Sequence, residues 1–82
     1  MIAAGMELGL TQEVAKELTI QTLIGAGKML AESGAEPGTL RANVTSPNGT
    51  TAAALASFGS DNLNSMVAKA MKAARDRSQE LA

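Results

Sequence analysis

The segment LTIQTLIGAG, residues 18–27, constrains the fold of this 82-residue chain more than any other, because it contains no charged side chain. It lies in a run that we predict to be helical from about Gln12 to Ser33, with Thr11 as the N-cap and Gly34 as the stop. A helix without charge through its middle has no broad solvated face, so it is expected to be buried on nearly every side. A chain this short cannot cover such a helix alone, and we expect a second copy to cover it.

Composition favours helices elsewhere as well. The chain has one aromatic residue, and its long segments are rich in Ala, Leu, Met, Lys and Glu, whereas strands prefer β-branched and aromatic side chains. It has no cysteine or histidine, so neither a disulfide nor a structural zinc site is expected to stabilise it, and oligomerisation is the remaining route. We predict a single all-α domain over residues 1–82, with four or five helices, two of them long.

The remaining helices can be placed approximately from stop and cap signals. The opening MIAAGMELGL is typical of the end of a helix, which predicts that the chain is the tail of a longer polypeptide. The other expected features are closure of that first helix by Gly9, a short turn of helix over residues 40–43, a helix over TAAALASF that breaks near Gly59, and a final helix capped by Ser60 or Asp61 that runs to about Leu81.

Charge argues against nucleic acid as a partner, and hydropathy argues against a membrane. The formal net charge is −1, and acidic neighbours dilute the one basic cluster, which we interpret as a solvated helix face and not as a nucleic-acid site. No apolar run approaches the roughly 20 residues that a membrane span needs, and no signal segment opens the chain. We therefore expect a soluble cytoplasmic protein that binds neither nucleic acid nor a membrane. The basic residues concerned are Lys69, Lys72, Arg75 and Arg77, and the acidic ones are Asp76 and Glu80.

The polar stretch TSPNGTT, residues 45–51, has the ingredients of an anion site. It places a glycine and several hydroxyls at the mouth of a helix, where backbone N–H groups are free. An alternative interpretation is that Thr50 or Thr51 simply caps that helix. The lysine that a phosphate loop requires after its last glycine is missing, so a single carboxylate fits better than a triphosphate. The chain offers no evident acid, base, nucleophile or metal ligand set, so any chemistry must come from outside it.

The succession of motifs resembles the C-terminal dimerisation domain of pyrroline-5-carboxylate reductase. The resemblance spans nearly all 82 residues, and it depends on the order and spacing of several motifs together. The matching motifs are Gly9-Leu10, Ile20-Gln21-Thr22, residues 25–29 (GAGKM), residues 37–40 (PGTL), residues 44–51 (VTSPNGTT) and the closing ARDRSQELA.

This resemblance implies a proline-biosynthesis oxidoreductase that reduces 1-pyrroline-5-carboxylate to L-proline. The cofactor would be NADPH or NADH, bound by an N-terminal Rossmann domain, since no G-x-G-x-x-G occurs in these 82 residues. The helices would interlock in a homodimer, and the dimers could assemble further, for example into a decamer. The fragment alone is expected to be inactive.

The resemblance also assigns the polar stretch to the small-molecule substrate. By matching position, Ser46, Gly49 and Thr50 would bind the substrate carboxylate, and Thr51 would contact both the carboxylate and the ring nitrogen as the catalytic residue. Asn48 belongs to the same substrate-binding loop but stands where the family usually has glycine, and Ala42 stands where an acid is common. Two alternatives remain open: a stand-alone helical homodimerisation module without catalysis, and a reductase of a related cyclic imine acid.

Overall fold

The structure, a computed structural model, describes all residues from 1 to 82 and contains five α-helices and no strand. The prediction of an all-α fold is confirmed. The chain divides into two compact units, Met1–Arg41 and Ala42–Ala82. No helix combines the length and the apolar character that crossing a membrane requires. The helices are α1 (Ile2–Glu7), α2 (Gln12–Glu32), α3 (Pro37–Asn43), α4 (Thr50–Ser60) and α5 (Leu63–Leu81).

In the first unit, the predicted start and stop of α2 are confirmed to within one residue. Thr11 is the N-cap, and its Oγ1 accepts a hydrogen bond from the N–H of Val14 at 3.3 Å. Glu13 lies in the first turn, where a negative charge interacts favourably with the helix dipole. At the other end, Ser33 is the C-cap, and Gly34 takes a left-handed φ of 70° that ends the helix.

The contact between α1 and α2 depends on two small residues. Ala15 of α2 is 2% exposed and is the one buried residue of the chain. A Cβ added to Gly5 of α1 would lie 3.2 Å from the Cβ of Ala15 and 3.4 Å from Cδ1 of Leu10. The absence of a side chain at Gly5 therefore lets the two helices pack closely.

Two of the boundaries predicted after α2 were wrong, and one is confirmed. The helix expected over residues 40–43 begins at Pro37, since proline suits the first turn of a helix and the carbonyl of Glu36 accepts the first hydrogen bonds. Helix α4 ends at Ser60, which confirms to within one residue the end predicted near Gly59. The N-cap of α5 is neither of the two expected residues but Asn62, in a left-handed conformation with φ 57°.

The basic cluster of α5 forms ion pairs along an exposed helix face. Lys72 Nζ lies 2.7 Å from Oδ2 of Asp76, and Arg75 Nη2 lies 2.9 Å from Oδ1 of the same carboxylate. Arg77 pairs with Glu80 at 2.9 Å. The hydrogen bond from Lys72, and then that from Arg75, lowers the pKa of Asp76 below its ordinary value. Acidic neighbours thus engage three of the four basic side chains, in line with the solvated face predicted for them.

The uncharged segment of α2 is not covered within the chain. Leu18, Leu23 and Ile24 are 52%, 62% and 55% exposed. Seventeen large hydrophobic side chains are exposed in all, and the total accessible surface is 6849 Å². A folded monomer of 8.3 kDa exposes about 4,600 Å². The burial expected for α2 therefore does not occur inside one copy.

Replacement of Gly5 by valine tests the contact between α1 and α2. Because the added side chain would collide with Ala15, we expect Gly5→Val to lower the free energy of unfolding by about 1–3 kcal/mol. The matched control is Gly59→Val, since an added Cβ at Gly59 meets nothing within 4 Å. The melting temperatures of both variants are measured by thermal unfolding. Equal melting temperatures would contradict the close contact between α1 and α2.

Candidate functional site

Residues 46–51, called the SPNGTT loop below, lie in the second unit and include the first two residues of α4. The N–H of Gly49 donates a hydrogen bond to the carbonyl of Ser46 at 3.1 Å and closes a four-residue turn. Pro47 occupies the second position and Asn48 the third, with φ 59°. Proline fixes φ at about −65°, so this combination of signs is that of a type II turn. No strands flank the turn, which excludes a hairpin.

The entrance to α4 leaves its first amides free. Gly49 is the N-cap and has no side chain with which to accept a hydrogen bond, so the alternative that Thr50 or Thr51 caps the helix is wrong. The first hydrogen bond of the helix runs from the N–H of Ala53 to the carbonyl of Gly49 at 3.1 Å. The three N–H groups between these residues have no acceptor in the chain, as is usual for a first helical turn. They belong to Thr50, Thr51 and Ala52.

The hydroxyl of Ser46 lies beside the same entrance. A Cβ built on Gly49 would lie 2.5 Å from Oγ of Ser46 and 3.2 Å from the carbonyl oxygen of Ser46. Since φ of Gly49 is −85°, glycine is needed here for space and not for its backbone conformation. The glycine therefore allows the serine hydroxyl to sit against the backbone at the start of α4.

The loop's hydroxyls are available to a ligand. Ser46 and Thr50 are exposed and Thr51 is half-buried. None of the three hydroxyls makes a hydrogen bond within the chain, and no acidic side chain lies in the first turn of α4. Hydroxyls and amide groups at a positive helix terminus are suited to binding an anion of carboxylate size.

The structure thus brings the predicted loop residues together at one helix entrance and adds the backbone N–H of Ala52. Sequence reasoning did not name this amide because it did not fix which residue is the N-cap of α4. The signal was present in Gly49, since glycine also occurs at N-caps. No group of three or more His, Cys, Asp or Glu side chains that could hold a metal ion occurs in the chain. The loop itself can bind and orient an anion, but it offers no strong acid or base.

Comparison with known proteins gives the family. The family model described as pyrroline-5-carboxylate reductase dimerisation matches residues 1–81. The chain belongs to this family. The resemblance inferred from the motifs is therefore confirmed, as is the helical fold that it implied.

Named relatives point the same way. The chain is 50% identical over 82 residues to pyrroline-5-carboxylate reductase of Pseudomonas aeruginosa, covering 100% of this chain and 30% of that protein. It is 44% identical over 77 residues to pyrroline-5-carboxylate reductase 1 of Bacillus subtilis, covering 94% of this chain and 26% of that protein. The chain therefore spans less than a third of the length of these relatives.

A solved structure shares the fold. The crystal structure of Plasmodium falciparum pyrroline carboxylate reductase with NADP bound matches with a TM-score of 0.90 and 35% identity. The match covers 94% of this chain and 29% of that one. The matched region includes most of the helices described above, so the chain shares its helical architecture with that protein.

Replacement of Gly49 by alanine tests the geometry of the loop. The added methyl group would collide with Ser46, so we expect Gly49→Ala to disturb the turn and lower the free energy of unfolding by about 1–3 kcal/mol. Gly59→Ala, in the same helix but with open space around the added Cβ, is the control and should not destabilise the protein. Chemical denaturation compares the two, and unchanged stability of the Gly49 variant would contradict the described packing of Ser46.

Proposed function

We propose that this chain is the C-terminal dimerisation and substrate-loop domain, residues 1–82, of a reductase that converts 1-pyrroline-5-carboxylate to L-proline in proline biosynthesis. The observation that carries the proposal is the family match over residues 1–81. The free donors at the entrance to α4 support it independently, since the proposed substrate bears a single carboxylate.

In this proposal the SPNGTT loop holds the substrate carboxylate. The hydroxyl of Ser46 and the backbone N–H groups of Thr50 and Thr51 donate hydrogen bonds to it, and Gly49 leaves room for the Ser46 hydroxyl beside these amides. The Thr51 hydroxyl contacts the carboxylate and the ring nitrogen, and so orients the imine. The positive end of the α4 dipole adds to this attraction, and the absence of acidic side chains in the first turn leaves it uncompensated.

The cofactor site lies outside these residues. The chain has no strand and no G-x-G-x-x-G segment, so it does not fit a dinucleotide. We propose that an N-terminal Rossmann domain of the intact enzyme binds NADPH or NADH. The greater length of the relatives and the NADP bound to the Plasmodium falciparum protein support this assignment. When bound, the nicotinamide supplies the hydride, while the residues of this chain position the acceptor.

The partner is a second copy of the chain. The uncharged segment of α2 is exposed in one copy, and an added Cβ at Gly25 or Gly27 would meet nothing within 4 Å. A close approach by a helix from another copy would use this space. The chain exposes about 2,300 Å² more than a typical monomer of its size, which is the scale of an obligate interface. We propose an intertwined homodimer; further assembly, such as a decamer, and a cytoplasmic location stay predictions.

The Thr51 hydroxyl is tested by kinetics of the intact reductase. Because a hydrogen bond to a charged group contributes about 1.5–3 kcal/mol, we expect Thr51→Ala to lower kcat/KM for pyrroline-5-carboxylate by about 10- to 100-fold. Thr51→Ser keeps the hydroxyl and is the matched control, with most of the activity retained. An alanine variant with the kcat/KM of the wild type would contradict the proposed role of the Thr51 hydroxyl.

The same assay tests the reaction. Robust oxidation of NADPH or NADH by the wild-type enzyme with pyrroline-5-carboxylate is the expected result. A folded parent protein that binds NADPH but does not turn over this substrate would contradict the proposal and point to another cyclic imine acid. A gene that encodes no nucleotide-binding domain beside this chain would instead favour a stand-alone dimerisation module.

A further inference from the structure

Asn48 and Gly49 form the only asparagine–glycine pair in the chain. The Asn48 side chain is exposed, and no hydrogen bond within the chain holds its carboxamide. Glycine presents the least hindered backbone nitrogen to the preceding asparagine side chain, because it has no β-carbon. An exposed, unheld carboxamide next to such a nitrogen is the arrangement in which asparagine loses ammonia without an enzyme.

The reaction uses atoms that this pair already supplies, together with water. The backbone nitrogen of Gly49 attacks Cγ of Asn48, so that a new N–Cγ bond forms and the Cγ–Nδ2 bond breaks. Ammonia leaves with the amide proton, and a cyclic imide remains. Water then opens the imide at Cγ to give aspartate, or at the main-chain carbonyl to give isoaspartate. No oxidant or reductant takes part.

One hydrogen bond of the loop opposes the first step. The N–H of Gly49 donates to the Ser46 carbonyl at 3.1 Å, so this bond must open before the nitrogen can lose its proton and attack. It is a single bond in an exposed turn ahead of α4, and bonds of this kind open at a small cost in free energy. The fold therefore slows the reaction relative to an unfolded chain without preventing it.

We propose that Asn48 is a site of spontaneous deamidation, which places a carboxylate in the SPNGTT loop beside the free amides of α4. The loop contains no acidic side chain, and none lies in the first turn of α4. The new carboxylate interacts with the same positive end of the helix that attracts an anion. It also repels the substrate carboxylate, and this consequence, unlike the deamidation itself, rests on the proposed function.

Mass spectrometry of the intact reductase, after several days at mildly alkaline pH, tests the modification. We expect the peptide that carries Asn48 to gain the mass that separates OH from NH2, as a mixture of aspartate and isoaspartate. Asn62 is the internal control. It is exposed and has nearly the same φ, 57° against 59°, but Leu63 follows it and hinders the backbone nitrogen. No mass gain at Asn48, or an equal gain at both asparagines, would overturn the proposal.

Replacement of Asn48 by glutamine separates this chemistry from general ageing of the protein. The longer side chain has to close a larger ring, so Asn48→Gln should gain no mass at this position. We expect KM for pyrroline-5-carboxylate to rise during incubation of the wild type and to stay constant in this variant, whatever its starting value. An equal rise in both proteins would show that deamidation of Asn48 is not the cause.

The variant Asn48→Asp supplies one product of the reaction directly. Because its carboxylate and that of the substrate repel each other at close range, we expect KM to rise by about tenfold. Asn62→Asp adds the same charge at the far end of α4, about 16 Å along the helix and beyond the range of screened charges. Its KM should therefore stay at the wild-type value.

The two readouts keep the modification and the function separate. An unchanged KM in Asn48→Asp would overturn the effect on substrate binding. If the folded wild-type enzyme does not act on pyrroline-5-carboxylate, the proposed function fails, and the mass of the peptide still decides whether Asn48 is modified.

Discussion

The apolar surface of α2 is the constraint on which the rest of the structure depends. A 21-residue helix with no charge from residue 18 to residue 27 cannot remain exposed in a stable protein, and one copy of the chain buries only Ala15. Gly25 and Gly27 each destabilise the helix interior relative to alanine. This cost is offset if another helix packs closely against them. The dimerisation family to which the chain belongs fits this requirement.

The candidate site depends on a different part of the chain and on different forces. Its donors are mostly backbone N–H groups, which a helix entrance supplies whatever the side chains are, so the sequence has only to keep that entrance open and uncapped. Gly49 does this because it is small and has no side chain to cap the helix. A binding site of this kind needs no ionisable side chain, which is why the loop contains none.

Helix boundaries could be predicted from the sequence where the residue at the boundary itself determines the local conformation. Thr11 was identified as a cap because its own side chain forms the bond, and Gly34 as a stop because few other residues adopt its φ. Asn62 was not identified as the cap of α5, because its conformation depends on how α4 ends and local propensity does not fix this. The residue pattern placed the polar stretch at a helix entrance, as the structure has it, whereas the free amide of Ala52 emerged only from the geometry of the cap.

The mass of the protein in solution tests the central claim most directly. We expect light scattering at micromolar concentration to give at least twice the mass of one chain, both for residues 1–82 and for the proposed full-length reductase. Dilution should lead to unfolding together with dissociation, because the apolar surface of α2 has no other cover. A folded monomer of residues 1–82 at micromolar concentration, with the helical content described here, would contradict the account.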